Sequence, residues 1–91
     1  MTTLPPRPDT AELLEAERAV LVKADEDIDA GRRRVHRQQE LLIELETDGH
    51  DTVQAVRLLG LLEDSLSAWE QHRVLIVQRI SDLERQVWSK G

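Results

Sequence analysis

The sequence predicts an all-α fold: a two-helix antiparallel hairpin, coiled-coil-like, that dimerises into a four-helix bundle. Three observations carry the prediction. Apolar residues recur at seven-residue spacing through two long segments of nearly equal length. A short polar break, Thr47-Asp48-Gly49-His50-Asp51-Thr52, separates them, and so short a connection leaves the two helices as antiparallel neighbours. The second segment also carries more apolar residues than one neighbouring helix can cover.

Residues 1–8 (MTTLPPRP) contain three prolines and little apolar surface, so a disordered N-terminal arm is expected there. Residues 9–91 are expected to form one hairpin domain. Asp9 stands three residues ahead of Glu12, with Leu13 and Leu14 following, which is the order of an N-cap and its reciprocal acid. The first helix is therefore predicted over about 10–47. Along it Leu14, Leu21, Ile28, Val35 and Leu42 form one column of a heptad seam, and Glu17, Ala24, Gly31, Gln38 and Leu45 form the other. The second column is small or polar, so this helix needs a bulkier partner on that side.

The turn is predicted at 48–51. Gly49 follows the last apolar residues of the first segment and can take the left-handed conformation that closes a helix. Asp51 precedes Gln54 by three residues and is expected to cap the second helix, with Gln54 bonding back to it. That helix is predicted over about 52–88. Its seam columns are Ala55, Leu62, Trp69, Ile76 and Leu83, and Thr52, Leu59, Leu66, Arg73, Ile80 and Val87. Antiparallel layers then pair Leu14 with Leu83, Leu21 with Ile76, Ile28 with Trp69, Val35 with Leu62 and Leu42 with Ala55. In this register Trp69 lies beside Gly31 and Ala24 and fills the space that a mid-helix glycine leaves. The competing reading is that Gly31, after Asp29-Ala30, kinks or breaks the first helix. Across the seam Arg32 is expected to face Glu63 or Glu70, Asp27 to face His72, and Asp25 to meet Glu70 unfavourably.

Besides its seam, the second helix carries an apolar surplus that includes Leu58, Leu61, Val74, Leu75 and Trp88. These five are the candidate interaction residues. Closure of two hairpins around a two-fold axis covers such a surplus, and a different helical protein would cover it too; the homodimer is favoured because symmetric dimers are the commonest assembly.

Composition narrows the classes. A chain of 91 residues buries a modest fraction of its surface. With no cysteine there is no disulfide and no thiolate chemistry, which fits a cytoplasmic setting. No stretch approaches the length of apolar chain that spans a bilayer, and the N-terminus does not read as a secretory signal. Phe and Tyr are absent and the net charge is −6, both of which oppose general nucleic-acid binding. Charge is uneven, however: residues 9–29 hold eight acids against Arg18 and Lys23, and the sign flips at Arg32-Arg33-Arg34-Val35-His36-Arg37. Arg33 and Arg37 share a helix face and form the candidate anion contact; read more plainly, this is a solvated face neutralised by Asp29 and Glu40.

His36 and Glu40 lie four apart on one face, a spacing open to two metal ligands, but no paired Glu-x-x-His set accompanies them. No metal and no cofactor are expected. Ser65, Ser67, Ser81 and Ser89 lack any elbow or base around them, so no catalytic residue is assigned and an enzyme is not expected. Catalysis would require His36, Glu40 and His72 to converge on one pocket.

The block Gly31-Arg32-Arg33-Arg34-Val35-His36-Arg37-Gln38-Gln39, with Leu42-Ile43, Asp48-Gly49-His50-Asp51-Thr52, Leu58-Leu59 and His72-Arg73, resembles a group of small alphaproteobacterial helical proteins. In these an arginine-rich stretch, a glutamine pair and a DGHDT-like turn recur in that order. The resemblance covers roughly residues 28–80 and implies a bacterial cytoplasmic origin, but no activity. Gly49, Asp51 and Thr52 in such a turn are accounted for by capping, whereas the His50 side chain is not, which makes His50 a further candidate. The function expected from the whole is a non-enzymatic interaction or scaffold module acting through helical faces. The alternative is a small regulator that meets nucleic acid or a DNA-bound protein through Arg32 to Arg37.

Overall fold

A computed structural model describes residues 9–89 of the chain; the expected arm at 1–8 lies outside them. Among the described residues the protein is two helices, α1 (Thr10–Thr47) and α2 (Val53–Trp88), packed on each other as an antiparallel hairpin. The Asp9 carboxylate accepts the Glu12 backbone N–H at 2.8 Å, which satisfies one of the donors a helix start leaves open. At the other end of α1 the chain closes in a Schellman motif: His50 N–H donates to the Leu45 carbonyl at 2.9 Å and Gly49 N–H to that of Glu46 at 3.2 Å. Gly49 has φ of 74°, the left-handed region that the motif requires and that a Cβ disfavours.

The start of α2 differs from expectation. Thr52, not Asp51, is the N-cap residue, and its side chain makes no capping bond. The Asp51 carboxylate instead accepts the Val53 N–H at 3.0 Å, a two-residue Asx bond made from one position outside the cap. Among the described residues Gln54 makes no bond back to Asp51. The aspartate satisfies an open donor as predicted, by a shorter route that leaves the glutamine without a part in it.

Both heptad seams are where the spacing placed them. The buried apolar residues are Leu14, Ala24, Ile28, Ala55, Ile76, Ile80 and Leu83, all drawn from the predicted columns. Leu14, Ala24, Ile76, Ile80 and Leu83 form one cluster, with Leu13, Leu21 and Val87 against it. The tight core thus sits at the open end of the hairpin, away from the turn. Toward the turn the seam is thinner, and buried Gln38 spans it by donating its side-chain amide to the Ala55 carbonyl at 3.1 Å. A buried amide without such a partner would cost ~1–3 kcal/mol.

α1 runs unbroken through Gly31, so the kink reading is set aside. The neighbour at the glycine is Leu66 rather than Trp69: a Cβ built on Gly31 would stand 3.3 Å from Leu66 Cδ1 and 4.0 Å from its Cβ. Gly31 and Leu66 are therefore level, and the helices are in the predicted register. Trp69 lies at the seam's edge, 42% exposed, with its ring edge-on to His72 at 6.0 Å between centroids.

The cross-seam charges agree in part. Arg32 reaches Glu70 at 3.5 Å, one of its two expected partners. Asp25 does not meet Glu70; it holds Arg73 Nε at 2.5 Å, because the long Arg73 side chain reaches out of its seam column to the rim. Asp27 pairs with Lys23 at 2.7 Å within α1 rather than with His72. The hydrogen bond that each cation donates, from Lys23 to Asp27 and from Arg73 to Asp25, followed by the charge of that carboxylate, raises the pKa of Lys23 and of Arg73 above the ordinary values. Glu17, an acid in a seam column, turns its carboxylate to Arg79 at 3.3 Å. Exposed pairs of this kind contribute well under ~1 kcal/mol each, so they tune register rather than hold the fold.

Candidate functional site

A hairpin has two broad sides, and here they differ in character. On one, Asp25, Asp29 and Arg32 of α1 meet Glu70 and Arg73 of α2 around a polar recess. The Asp25–Arg73 and Arg32–Glu70 pairs close this side. On the other, Ala19, Val20, Lys23, Ala24 and Asp27 face Trp69, His72 and Ile76 across one shallow groove. Ala30, Gly31 and Arg34 face Leu62, Ser65 and Leu66 across the next, with Asp27 and Trp69 shared between the two. Trp69 lines both grooves of this second side, and small residues, Ala24, Ala30, Gly31, Ser65 and Ala68, are among its neighbours there.

The predicted interaction residues are all exposed: Leu58, Leu61, Val74, Leu75 and Trp88. They do not form one patch. At about 100° per residue, Leu58, Leu61 and Leu75 project on the Trp69 side, whereas Val74 and Trp88 point roughly 100–180° away from them, toward the ion-paired side. The surplus is therefore two strips. The Trp69-side strip has a spacing that the sequence reading passed over: Leu58, Leu61, Ser65, Ala68, His72 and Leu75 follow each other at alternating steps of three and four, a second heptad seam beside the first. Val20 and Leu41 of α1, both more than 40% exposed, belong to the same side and were missed because they lie off the first seam.

Arg33 and Arg37 are exposed on the outer surface of α1, where they line a shallow groove with Arg32 and His36. Among the described residues Arg33, Arg34 and Arg37 take part in no ion pair. His36 pairs with Glu40 at 2.9 Å, and His72 lies against Trp69, so His36, Glu40 and His72 do not converge. No cluster of three metal-binding side chains occurs among the described residues. His50 is exposed; its backbone N–H closes the Schellman motif while its side chain takes no part in it. Among the described residues, no helix is long and apolar enough to cross a membrane.

No protein-family model matches the chain, and neither the curated proteins nor the solved structures searched contain a match.

Proposed function

We propose that this chain is a non-enzymatic interaction module whose helical faces are completed by other helices, in the first place by a second copy of itself in a four-helix bundle. The observation that carries this reading is an imbalance. Among the described residues seven apolar residues are buried, while thirteen large apolar side chains are 40% exposed or more. The accessible surface is 7410 Å², against about 5,400 Å² for a compact chain of this mass. The radius of gyration is 20.8 Å, where a compact domain of this length has about 12 Å. Exposed apolar surface on this scale marks an interaction site. A bacterial cytoplasmic setting goes with this reading through the resemblance of the turn and the arginine stretch.

Light scattering over a dilution series tests it, with Leu61→Glu and Leu75→Glu measured alongside. The wild type is expected at twice the chain mass and the charged variants at or near the monomer mass. A wild type that stays monomeric and helical at all concentrations would sink the homodimer.

The unpaired Arg33, Arg34 and Arg37 favour one second reading, contact with nucleic acid or a DNA-bound protein. Its test is titration with random-sequence duplex DNA at low salt, where the net charge of −6 leads us to expect no binding. Binding that weakens with salt and disappears in Arg33→Glu/Arg37→Glu would make this the better reading.

A further inference from the structure

Resting on the homodimer reading, we infer that the second copy docks on the Trp69 side, with its two-fold axis perpendicular to the helices, so that α2 lies antiparallel on α2 and α1 on α1. The level of Gly31 and Leu66 is the key. In an antiparallel pair, residues equidistant from the axis face each other, and the second seam of α2 is symmetric about a point between residues 66 and 67. Leu58 then meets Leu75 of the second copy, Leu61 meets His72, and Ser65 meets Ala68. Large side chains oppose large ones toward the ends, and small ones meet at the centre, where helix axes can approach closely.

The same axis can be checked on α1, whose sequence was not used to place it. Because Leu66 is level with Gly31, a point between 66 and 67 on α2 is level with one between 30 and 31 on α1. About that point Asp27 faces Arg34 of the second copy, and Arg34 faces Asp27. Val20 faces Leu41. Opposite charges and apolar residues therefore both find partners, although this side of α1 carries no apolar seam of its own. Lys23 and Arg37 also come near each other at the outer edge; Lys23 is already held by Asp27 at 2.7 Å.

Two alternatives fit less well. An axis along the helices would lay α1 over the partner's α2 at the same level, setting Lys23 beside Leu75 and Arg34 and Arg37 beside Leu61, and would desolvate arginines that have no acid opposite them. Docking on the opposite side would bury the Asp25–Arg73 and Arg32–Glu70 pairs.

The absence of cysteine allows a clean test by spin labelling of Glu46→Cys, at the turn end of α1. In the inferred dimer the two labels sit at opposite ends of the bundle, about 45 Å apart at 1.5 Å per residue. An axis along the helices brings them within roughly 20 Å, since neighbouring helices are ~10 Å apart. Alongside, Ala68→Arg is expected to weaken the dimer by about tenfold or more while helicity is kept, because it places a charge at the centre of the interface; Val74→Arg, on the ion-paired side, is expected to leave it unchanged. A dimer with a short label distance, or one weakened by Val74→Arg and not by Ala68→Arg, overturns this arrangement and leaves the dimer standing. A wild type that remains monomeric overturns both.

Discussion

Ile76→Ala is expected to lower the unfolding free energy by about 3 kcal/mol, the largest single-residue effect in the chain. Ile76 is 3% exposed and sits in the one apolar cluster that the hairpin closes, with Leu14, Ala24, Ile80 and Leu83. Truncation removes its transfer free energy and leaves a void that two helices cannot easily collapse around, because Ala24, its neighbour in the cluster, is already small. Small domains are stable by only ~5–10 kcal/mol, so a loss of this size displaces the whole transition. The check is urea unfolding followed by helical circular dichroism at one fixed protein concentration, since association adds to stability by mass action. Val74→Ala, at a site 54% exposed, is the control and should change stability by no more than ~0.5 kcal/mol. Equal effects at the two sites would mean that the core is not at the open end of the hairpin.

The backbone of this fold was legible because its signals are local or periodic. Seven-residue spacing named every buried apolar residue of both helices, and Gly49 and Asp9 each act within four residues of themselves. Register was legible too, since a turn of fixed length leaves one antiparallel alignment in which both seams are apolar. Side-chain destinations were not. Trp69 and Leu66 are three apart on the same seam, and which of them covers Gly31 depends on how far each column leans into the groove. Arg73 was counted as a seam residue, yet its stem is long enough to carry the guanidinium to Asp25 at the rim. Asp51 and Thr52 are both good caps, and the choice between them lies in backbone angles that composition does not encode.

The apolar surplus divides into two strips that the first seam does not distinguish. Leu61 and Leu75 were read as one group with Val74 and Trp88 because all lie off the first seam, whereas a second pass for three-four spacing separates them. The Trp69-side strip then has a direction and a symmetry, about a point between residues 66 and 67 with Ala68 beside it. It also gives His72, expected to face Asp27, a different neighbour. Placed between Ser65 and Leu75 in that seam and stacked edge-on against Trp69, it has a packing role on the same side.

Gly31→Leu should cost about 2 kcal/mol by overpacking, and the loss should be largely relieved when Leu66→Ala is added. The hairpin is tight here: even a Cβ on Gly31 would stand 3.3 Å from Leu66 Cδ1, so a full leucine side chain must push Leu66 or part the helices. Gly31→Ala is a milder case, because the alanine gains about 1 kcal/mol of helix propensity and the Leu66 methyl needs to give by only a few tenths of an ångström, so it should be near neutral or stabilising. Leu66→Ala alone removes a half-buried seam residue and should be destabilising; only the double variant tests the contact, since the two losses should fail to add by ~1 kcal/mol or more if the side chains share one space. The same urea measurement applied to a cycle of Gly31→Leu with Trp69→Ala should give a smaller coupling. Were the Trp69 coupling the larger, the indole and not Leu66 would be the group that fills the glycine's gap, and Trp69 would lean into the seam rather than stand at its edge on the docking side.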